Sequence, residues 1–304
     1  MFAAPPILKT EVFARVPDAL RITNRQSGWA ATYRPGRQID CFLEGPSFDR
    51  QGNLYVVDLA WGRIFRISPS GAFSVALQYE GQPNGLKIHR DGRIFIADRL
   101  RGLLILDPVS GGLETAVADF EGRPFQGLND LVFAGNGDLY FTDQGMSGLD
   151  HPTGRVFRLC SRGNLELVLD RIPSPNGITL DCADATVFIN VTRDNSVWRI
   201  PLDKEGGAVR VGAFIRLSGG IGPDGMAIDR EGGLAVAHLG LGVVWLFSAA
   251  GEPIARIQSC AGTGTTNVAF GIPGDRTLFI TESETGQILK AEVPTGGWPM
   301  FSHR

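Results

Sequence analysis

The sequence predicts an all-β protein, a six-bladed β-propeller with four antiparallel strands in each blade. A pattern of four short apolar segments separated by turns occurs six times, in repeats that begin near residues 44, 84, 129, 176, 224 and 267. Glycine accounts for 40 of the 304 residues and proline for 18, which is typical of many tight turns between short strands. Four strands at a period in the forties are the sequence signature of propeller blades.

The first repeat shows how the strands are inferred. A short apolar segment at 45–49 is followed by a turn at 50–53, and residues 54–58 have the aromatic and β-branched side chains typical of a strand. Residues 62–67 alternate as a half-buried strand does, and a fourth strand is predicted at 73–77 after a Ser-Pro-Ser-Gly turn. The same order returns in the five later repeats.

The two ends of the chain are predicted to complete one blade together. The last repeat ends near Val293 with only three strands, whereas a single strand is predicted upstream, at about residues 10–16. Pairing these segments would close the ring and protect the sheet edges. We therefore expect a single domain over residues 1–304. The alternative, two β-sandwiches, predicts a central linker that the sequence does not show.

Composition narrows the class of function. The net charge of -3 includes no basic excess that would meet nucleic-acid phosphates. We expect no membrane association, because no stretch approaches the roughly 20 apolar residues that a spanning helix needs, and we see no signal-peptide pattern. The four cysteines show no C-x-x-C spacing, which favours free thiols in the cytoplasm. The oligomeric state is not predicted.

Each repeat carries a polar residue at the entrance of its first strand. This entrance ring consists of Glu44, Asn84, Asn129, Asn176, Asp224 and Asn267. The first strand of each blade lines the channel of a propeller, so these side chains should converge. Asn and Asp before Gly are also common turn residues, but a turn does not explain six oxygen-bearing side chains. Such a set suits a hard divalent cation.

A second ring follows from the hairpin that joins the first two strands of each repeat. Residues 14 or 15 positions after the entrance ring should lie beside it across the hairpin. This opposite ring consists of Asp58, Asp98, Asp143, Val191, His238 and Glu282. We favour a structural role for Asp58 and Glu282, whereas Asp143 and His238 are candidates for either a structural role or a contact with substrate.

The repeats resemble those of the senescence-marker-protein, gluconolactonase and luciferin-regenerating-enzyme family of six-bladed propeller hydrolases. The similarity covers roughly residues 40–293. The matching motifs are Glu44-Gly45-Pro46, Asn129-Asp130, Pro175-Asn176-Gly177, Pro223-Asp224-Gly225-Met226, and the segments 265–270 and 278–282.

This resemblance implies a single catalytic divalent metal ion. Its ligands would be Glu44, Asn129, Asn176 and Asp224. Oxygen ligands admit Ca²⁺, Zn²⁺, Mg²⁺, Mn²⁺ or Fe²⁺. The resemblance leaves Asn84 and Asn267 as candidates for contacts with the substrate or with water, beside Asp143 and His238 of the opposite ring.

The chain departs from the family at two positions. Some members that act on sugar lactones carry an arginine two residues before the position of Asn129, where this chain has Gly127. Asp130 resembles a position that binds a second, structural calcium in distantly related propellers, but the acidic partner found there is replaced by Gly45. We therefore expect no second metal.

The reaction implied by the resemblance is hydrolysis of a lactone, with the metal polarising the carbonyl group. Asp224 would be a metal ligand and also a candidate base for the attacking water. The alternatives are a phosphotriester or fluorophosphate hydrolase on the same metal site, and a non-catalytic binding scaffold. No G-x-S-x-G motif indicates a serine esterase.

Loops are expected to shape access to this site. The segments 21–40 and 144–154 are longer than ordinary hairpin loops, and such loops often select substrates. Arg99 and Arg101 follow Asp98 in the opposite ring. Either guanidinium is a candidate partner for a carboxylate on the substrate, although an exposed arginine on a turn is the more common case.

Overall fold

A computed structural model describes residues 4–304. The N-terminal segment contains strands β1 (Ile7–Lys9) and β2 (Glu11–Arg15) and a short helix, α1 (Gly28–Tyr33). Helix α1 begins where the Ser27 hydroxyl accepts a hydrogen bond from Ala30 N, the usual N-cap interaction. Sequence analysis did not predict this helix, which is only six residues long.

Six antiparallel sheets follow, each built from consecutive strands. The first blade contains β3 (Leu43–Phe48), β4 (Leu54–Asp58), β5 (Arg63–Ile67) and β6 (Phe73–Gln78). The second contains β7 (Pro83–Ile88), β8 (Ile94–Asp98), β9 (Gly102–Leu106) and β10 (Leu113–Val117). After the two-residue strands β11 (Asp119–Phe120) and β12 (Arg123–Pro124), the third contains β13 (Leu128–Phe133), β14 (Leu139–Asp143), β15 (Gly154–Leu159) and β16 (Leu165–Ile172).

The remaining three blades repeat this arrangement. The fourth contains β17 (Pro175–Leu180), β18 (Thr186–Val191), β19 (Ser196–Pro201) and β20 (Gly212–Arg216). The fifth contains β21 (Gly222–Ile228), β22 (Leu234–Leu239), β23 (Val243–Phe247) and β24 (Pro253–Gln258). The sixth contains β25 (Thr265–Phe270), β26 (Thr277–Glu282) and β27 (Gln287–Glu292).

The first strands of the six blades contact one another in a closed cycle. Strand β3 contacts β7, and the contacts continue through β13, β17, β21 and β25 back to β3. Hydrophobic clusters lie between neighbouring blades; for example, one joins residues of the fifth and sixth blades, and another joins the sixth and first. The prediction of a six-bladed β-propeller is therefore confirmed.

The N-terminal segment completes two blades. Strand β2 pairs antiparallel with β27, with Glu11 opposite Lys290, so an N-terminal strand closes the last blade as predicted. Strand β1 pairs in parallel with β24, with Ile7 opposite Arg256, and this fifth strand of the fifth blade was not predicted. The segment therefore ties the two final blades together.

Every hairpin at the channel contains a register shift at the entrance ring. In the first blade, Asp58 pairs with Leu43 rather than with Glu44. The predicted pairing is therefore displaced by one residue, and by two at Glu282, which pairs with Thr265. A displacement of one residue moves a side chain to the other face of a strand, so the five members of the opposite ring other than Glu282 do not face the channel as the entrance ring does.

The glycines after the entrance ring lie where neighbouring strands approach closely. A Cβ atom on Gly85 would lie 2.6 Å from the carbonyl oxygen of Asn129, and one on Gly177 would lie 2.5 Å from that of Asp224. Only glycine fits at such a distance. The Asn-Gly pairs are therefore parts of strands β7 and β17, and the interpretation of these pairs as turns is wrong.

The C-terminal segment closes the end of the channel away from the entrance ring. Trp298, Met300 and Phe301 line a small apolar cavity of about 80 Å³ beside the inner strands. Phe301 stacks on Phe133 of β13 with the ring centroids 4.8 Å apart. Within residues 4–304, no helix has both the length and the apolar character required to cross a bilayer.

Candidate metal and substrate site

A cleft of about 550 Å³ opens at the entrance ring. Five members of the ring line it: Glu44, Asn84, Asn129, Asn176 and Asp224. All five are buried, with at most 5% of each residue exposed. The structure thus brings the four predicted metal ligands and Asn84 together at one end of the channel.

Asn267, the sixth member, lies beneath the cleft. Its Nδ2 donates hydrogen bonds to Glu44 Oε2 (3.0 Å) and to Asp130 Oδ2 (3.3 Å). The Asp130 carboxylate also faces the Lys87 ammonium at 3.5 Å. Asn267 does not line the cleft, so we reassign it from substrate contact to support of Glu44.

Asn176 supplies the test of whether this site suits a cation. Its Nδ2 donates to Thr192 Oγ1 (3.2 Å), and this hydroxyl in turn donates to the carbonyl of Pro223 (2.8 Å). These contacts orient the carboxamide, and its buried Oδ1 has no hydrogen-bond partner within the described part of the chain. A buried oxygen without a partner is costly, and a bound cation would satisfy it.

The two carboxyl groups of the cleft also form no salt bridge in the described chain. Within residues 4–304, neither Glu44 nor Asp224 has a Lys, Arg or His nitrogen within 4.0 Å. Burial raises the pKa of Asp224 to about 7, an effect that the adjacent Asn176 carboxamide partly offsets. Burial, together with the Asp224 charge, raises the pKa of Glu44 well above its usual range. A divalent cation would stabilise both groups in ionised form.

The chemistry of this set therefore fits a hard cation with oxygen ligands. Among residues 4–304, no three His, Cys, Asp or Glu side chains form a cluster with the arrangement of a metal site. The site accordingly depends on the carboxamides of Asn129 and Asn176 as well as on two carboxylates. The assignment of these four residues as ligands stays a prediction.

Gln144 was not singled out from the sequence, although it holds Asn129. Its Oε1 accepts a hydrogen bond from Asn129 Nδ2 (3.1 Å), and its Nε2 donates to Ser174 Oγ (3.0 Å). Arg99 Nη1 donates to the same Oε1 (3.2 Å). Its position, directly after Asp143 at the start of the 144–154 loop, is the only signal that the sequence offers for it.

Asp143 lies outside the cleft. It is fully buried, and its Oδ1 accepts hydrogen bonds from the backbone N–H groups of Gln126 (2.9 Å) and Gly127 (2.8 Å). Its Oδ2 forms a salt bridge with Arg155 Nη2 (2.5 Å). Because both oxygens hold neighbouring loops, we reassign Asp143 from substrate contact to a structural role.

His238 is likewise fully buried. Its Nδ1 accepts a hydrogen bond from Trp245 Nε1 (3.2 Å), which leaves Nε2 as the donor to the carbonyl of Gly219 (2.9 Å). Burial lowers the pKa of the imidazole, which favours this neutral tautomer. His238 does not line the cleft, and we reassign it to a structural role as well.

Other members of the opposite ring bind the same kinds of partner. Asp58 accepts a hydrogen bond from Phe42 N and pairs with Arg63, and Asp98 accepts from the N–H groups of Gln82 and Leu100. The opposite ring thus anchors the loops at this end of the propeller. The register shift explains this anchoring role, because it turns these side chains away from the channel. The sequence did not reveal the shift.

Both predicted access loops border the cleft. The segment 21–40 contributes Trp29, Tyr33 and Arg34, and the segment 144–154 contributes residues 144–150. Trp29 packs on Phe42 with the ring centroids 4.6 Å apart, which fixes helix α1 over the channel mouth. Arg99 lines the cleft, whereas Arg101 does not.

Fold and site together define a six-bladed propeller with a buried oxygen-donor site at its axis. Residues 42–284 match the family described as the SMP-30/Gluconolactonase/LRE-like region. The chain belongs to this family.

Relatives and solved structures extend the similarity over most of the chain. A gluconolactonase of Zymomonas mobilis is 29% identical over 287 residues, which cover 84% of this chain and 79% of the relative. A lactonase, drp35, of Staphylococcus aureus is 30% identical over 241 residues, 75% of this chain and 72% of the relative. The structure of regucalcin, a calcium-binding protein from Agrobacterium tumefaciens, has a TM-score of 0.78 at 23% identity, covering 98% of this chain and 99% of that one.

Proposed function

We propose that the protein is a divalent-metal-dependent lactonase that opens a sugar lactone or a similar small lactone to its hydroxy acid. The observation that carries this proposal is the buried set of Glu44, Asp224 and the unpartnered Asn176 Oδ1 in one cleft. The gluconolactonase and lactonase relatives support the same reaction class.

Glu44, Asn129, Asn176 and Asp224 would hold the metal. When bound, a divalent ion supplies Lewis-acid polarisation of the lactone carbonyl. Oxygen donors accept Ca²⁺, Mg²⁺, Mn²⁺, Zn²⁺ or Fe²⁺, and Ca²⁺ is the first to test because carboxylate and amide oxygens are its preferred ligands.

The two carboxylates, Glu44 and Asp224, would then have different roles. Glu44 Oε2 accepts hydrogen bonds from Gly45 N (2.8 Å) and Asn267 Nδ2 (3.0 Å), which stabilise its charge and fix its position. Among the described residues, no backbone N–H group donates to the Asp224 carboxylate. Asp224 is therefore the better acceptor for a proton of the attacking water. The rings of Trp29 and Tyr33 wall the cleft and limit access of bulk water to it.

The test is a panel of lactones followed by pH-stat titration, with and without exhaustive chelation. D-glucono-1,5-lactone and γ-butyrolactone represent sugar and simple lactones, and a phosphotriester represents the alternative hydrolase. We expect metal-dependent lactone hydrolysis that returns when the ion is restored. Wild-type activity that survives complete metal removal would contradict the proposed mechanism. The absence of both bound metal and hydrolysis would favour a binding scaffold.

We propose the cytoplasm as the location of the protein. Cys41, Cys160, Cys182 and Cys260 are all free thiols, which is usual in a reducing compartment. We propose a small-molecule substrate, rather than nucleic acid or a membrane, as the partner of the cleft. Localisation of the tagged protein in its source cells would test the first of these proposals.

A further inference from the structure

Three arginines surround the candidate site without forming a salt bridge. Arg34, Arg99 and Arg193 line the cleft, and within residues 4–304 none of them has a carboxylate oxygen within 4.0 Å. They come from three separate segments: the 21–40 loop, the turn after β8 and the segment after β18. The Asp224 charge acts on Arg34 at longer range, but no carboxylate of the described chain forms a salt bridge with any of the three, so they can accept an added anion.

Arg99 contacts both access loops. Its guanidinium stacks over the Tyr33 ring, with Cζ 4.7 Å from the ring centroid, and Nη1 donates to Gln144 Oε1. Its buried Nε has no hydrogen-bond partner among residues 4–304. Stacking and one hydrogen bond hold the plane of the guanidinium, so a donor edge is prepared for a planar or tetrahedral oxyanion.

Gly127 makes room for this guanidinium. A Cβ atom at Gly127 would lie 3.2 Å from Arg99 Nη2 and 3.3 Å from Arg99 Cζ, and the φ angle of Gly127 is +144°. Gly127 is the position at which some sugar-lactone members of the family carry an arginine. In this chain a guanidinium covers the same position, but it extends from the neighbouring blade and is aligned by Tyr33 of the access loop.

The charges of the cleft indicate what the three arginines would bind. A divalent cation would balance Glu44 and Asp224, and the remaining carboxylate is the exposed Asp150. Three guanidiniums against one carboxylate leave an excess of positive charge. Burial lowers the pKa of Arg34; the Asp224 charge offsets part of this effect, and repulsion by Arg37 and Arg193 adds to it. A lactone ring is uncharged, so its hydrolysis alone gives these arginines no partner.

We propose that Arg99, together with Arg34 and Arg193, binds an anionic substituent of the substrate. The substrate would then be a lactone that carries a carboxylate or a phosphomonoester besides its ring ester. This inference rests on the proposed lactonase function and specifies its substrate class. Arg99 is the specificity-determining residue, because it alone combines an unpartnered buried donor with a fixed orientation.

A matched pair of lactones tests the inference. D-glucaro-1,4-lactone and D-glucono-1,4-lactone differ only in a carboxylate or a hydroxymethyl group at C6, and 6-phospho-D-gluconolactone provides the phosphate arm. We expect wild-type kcat/KM to be roughly tenfold or more higher for one of the charged lactones than for the uncharged one. The arm that shows the preference identifies the anion.

Substitutions test whether Arg99 causes the preference for charged lactones. Arg99→Gln should reduce the ratio of charged to uncharged kcat/KM by roughly tenfold, chiefly through KM, whereas Arg99→Lys should restore only part of it because lysine lacks the planar fork. The matched control is Arg101→Gln, which makes the same change in net charge two residues away and outside the cleft. It should leave the ratio within about twofold, because Arg101 lies outside the cleft, over the Tyr79 ring, and its charge is screened from the substrate by solvent.

Binding of the open-chain acids separates the two proposals. Calorimetric titration should show D-glucarate or 6-phospho-D-gluconate binding roughly tenfold tighter than D-gluconate, and Arg99→Gln should remove the difference. Selective binding without hydrolysis of any lactone would contradict the proposed function and leave the anion site intact. Hydrolysis of lactones with equal ratios in wild type and Arg99→Gln would overturn the anion site alone.

Discussion

The entrance ring and the opposite ring use the same kinds of side chain in different environments. Glu44 and Asp224 of the entrance ring lie in the cleft without a salt bridge in the described chain, although the Arg34 charge acts on Asp224 at longer range. Asp58 and Asp143 of the opposite ring are fully buried, each paired with an arginine and with backbone N–H groups. Carboxylates of the first kind need an external cation, and those of the second kind are already satisfied.

In five of the six blades, a displacement of one residue in strand pairing separates the two environments. Because each channel hairpin shifts register next to the entrance ring, facing positions that look equivalent in sequence lie on different faces. The difference predicts opposite effects of substitutions in the two rings. Substitutions in the entrance ring should remove activity and spare the fold, whereas substitutions in the opposite ring should do the reverse.

Asp224→Asn should have the largest effect on turnover. We expect kcat for a lactone to fall roughly 1000-fold or more, because the substitution removes a metal ligand and the proton acceptor together. The fold should persist, and the melting temperature of chelated protein at pH 8 should hold or rise, because a buried charge has been removed. Turnover at the wild-type rate would show that Asp224 is neither ligand nor base.

The next largest expected effect is that of pH on metal affinity. Burial raises the pKa of Asp224 to about 7 in the metal-free site, so metal must displace a proton below that pH. Affinity should therefore fall by about tenfold or more for each unit of pH below 7, because the pKa of the second carboxyl ligand, Glu44, is also raised. Calorimetry in buffers of different ionisation enthalpy would measure the released protons, and an affinity independent of pH between 5 and 8 would contradict this expectation.

The same shift has a consequence for stability. A folded-state pKa above the unfolded value stabilises the fold at low pH, and this contribution is lost as the pH rises through the folded pKa. Chelated protein should thus lose stability between pH 5 and 8, and added metal should suppress the loss. Thermal unfolding with and without metal provides the control.

Asp58→Asn should act on stability instead. It breaks the buried pair with Arg63 and leaves an uncompensated guanidinium, which costs about 3–5 kcal/mol and should lower the melting temperature by roughly 10 °C. At 25 °C the folded enzyme should keep kcat within about threefold. A loss of turnover comparable to that of Asp224→Asn, without a loss of stability, would place Asp58 in the site.

His238→Gln should have the smallest effect on activity. The loss of one or both buried hydrogen bonds should cost about 1–2 kcal/mol of stability, measurable by urea denaturation. The pH profile of kcat/KM should be unchanged, because the wild-type imidazole is neutral and outside the cleft. If an apparent pKa disappeared from the profile, His238 would belong to the mechanism.

The sequence predicted the features that recur in every repeat, namely the strands and the position of the entrance ring. Strand β4 lies at Leu54–Asp58 as expected, and the repeat spacing placed five of the six entrance-ring residues around one cleft. The register shift escaped prediction because a change in backbone pairing leaves the apolar pattern of the strands intact.

Features that depend on distant contacts were also missed or left open. Helix α1 is too short to form by propensity alone and is held by packing of Trp29 on Phe42. The sequence alone did not distinguish between two roles for Arg99, an exposed position on a turn and a contact with the substrate. Only its stacking on Tyr33, from a loop far away in sequence, places it at the cleft.

The metal content of the purified protein tests the entrance ring most directly. Elemental analysis after dialysis should find one divalent ion per chain in the wild type and in His238→Gln, and none in Asp224→Asn or Glu44→Gln. Retention of a full equivalent by both entrance-ring variants, or its absence from the wild type after incubation with each candidate ion, would contradict a metal site at the channel mouth.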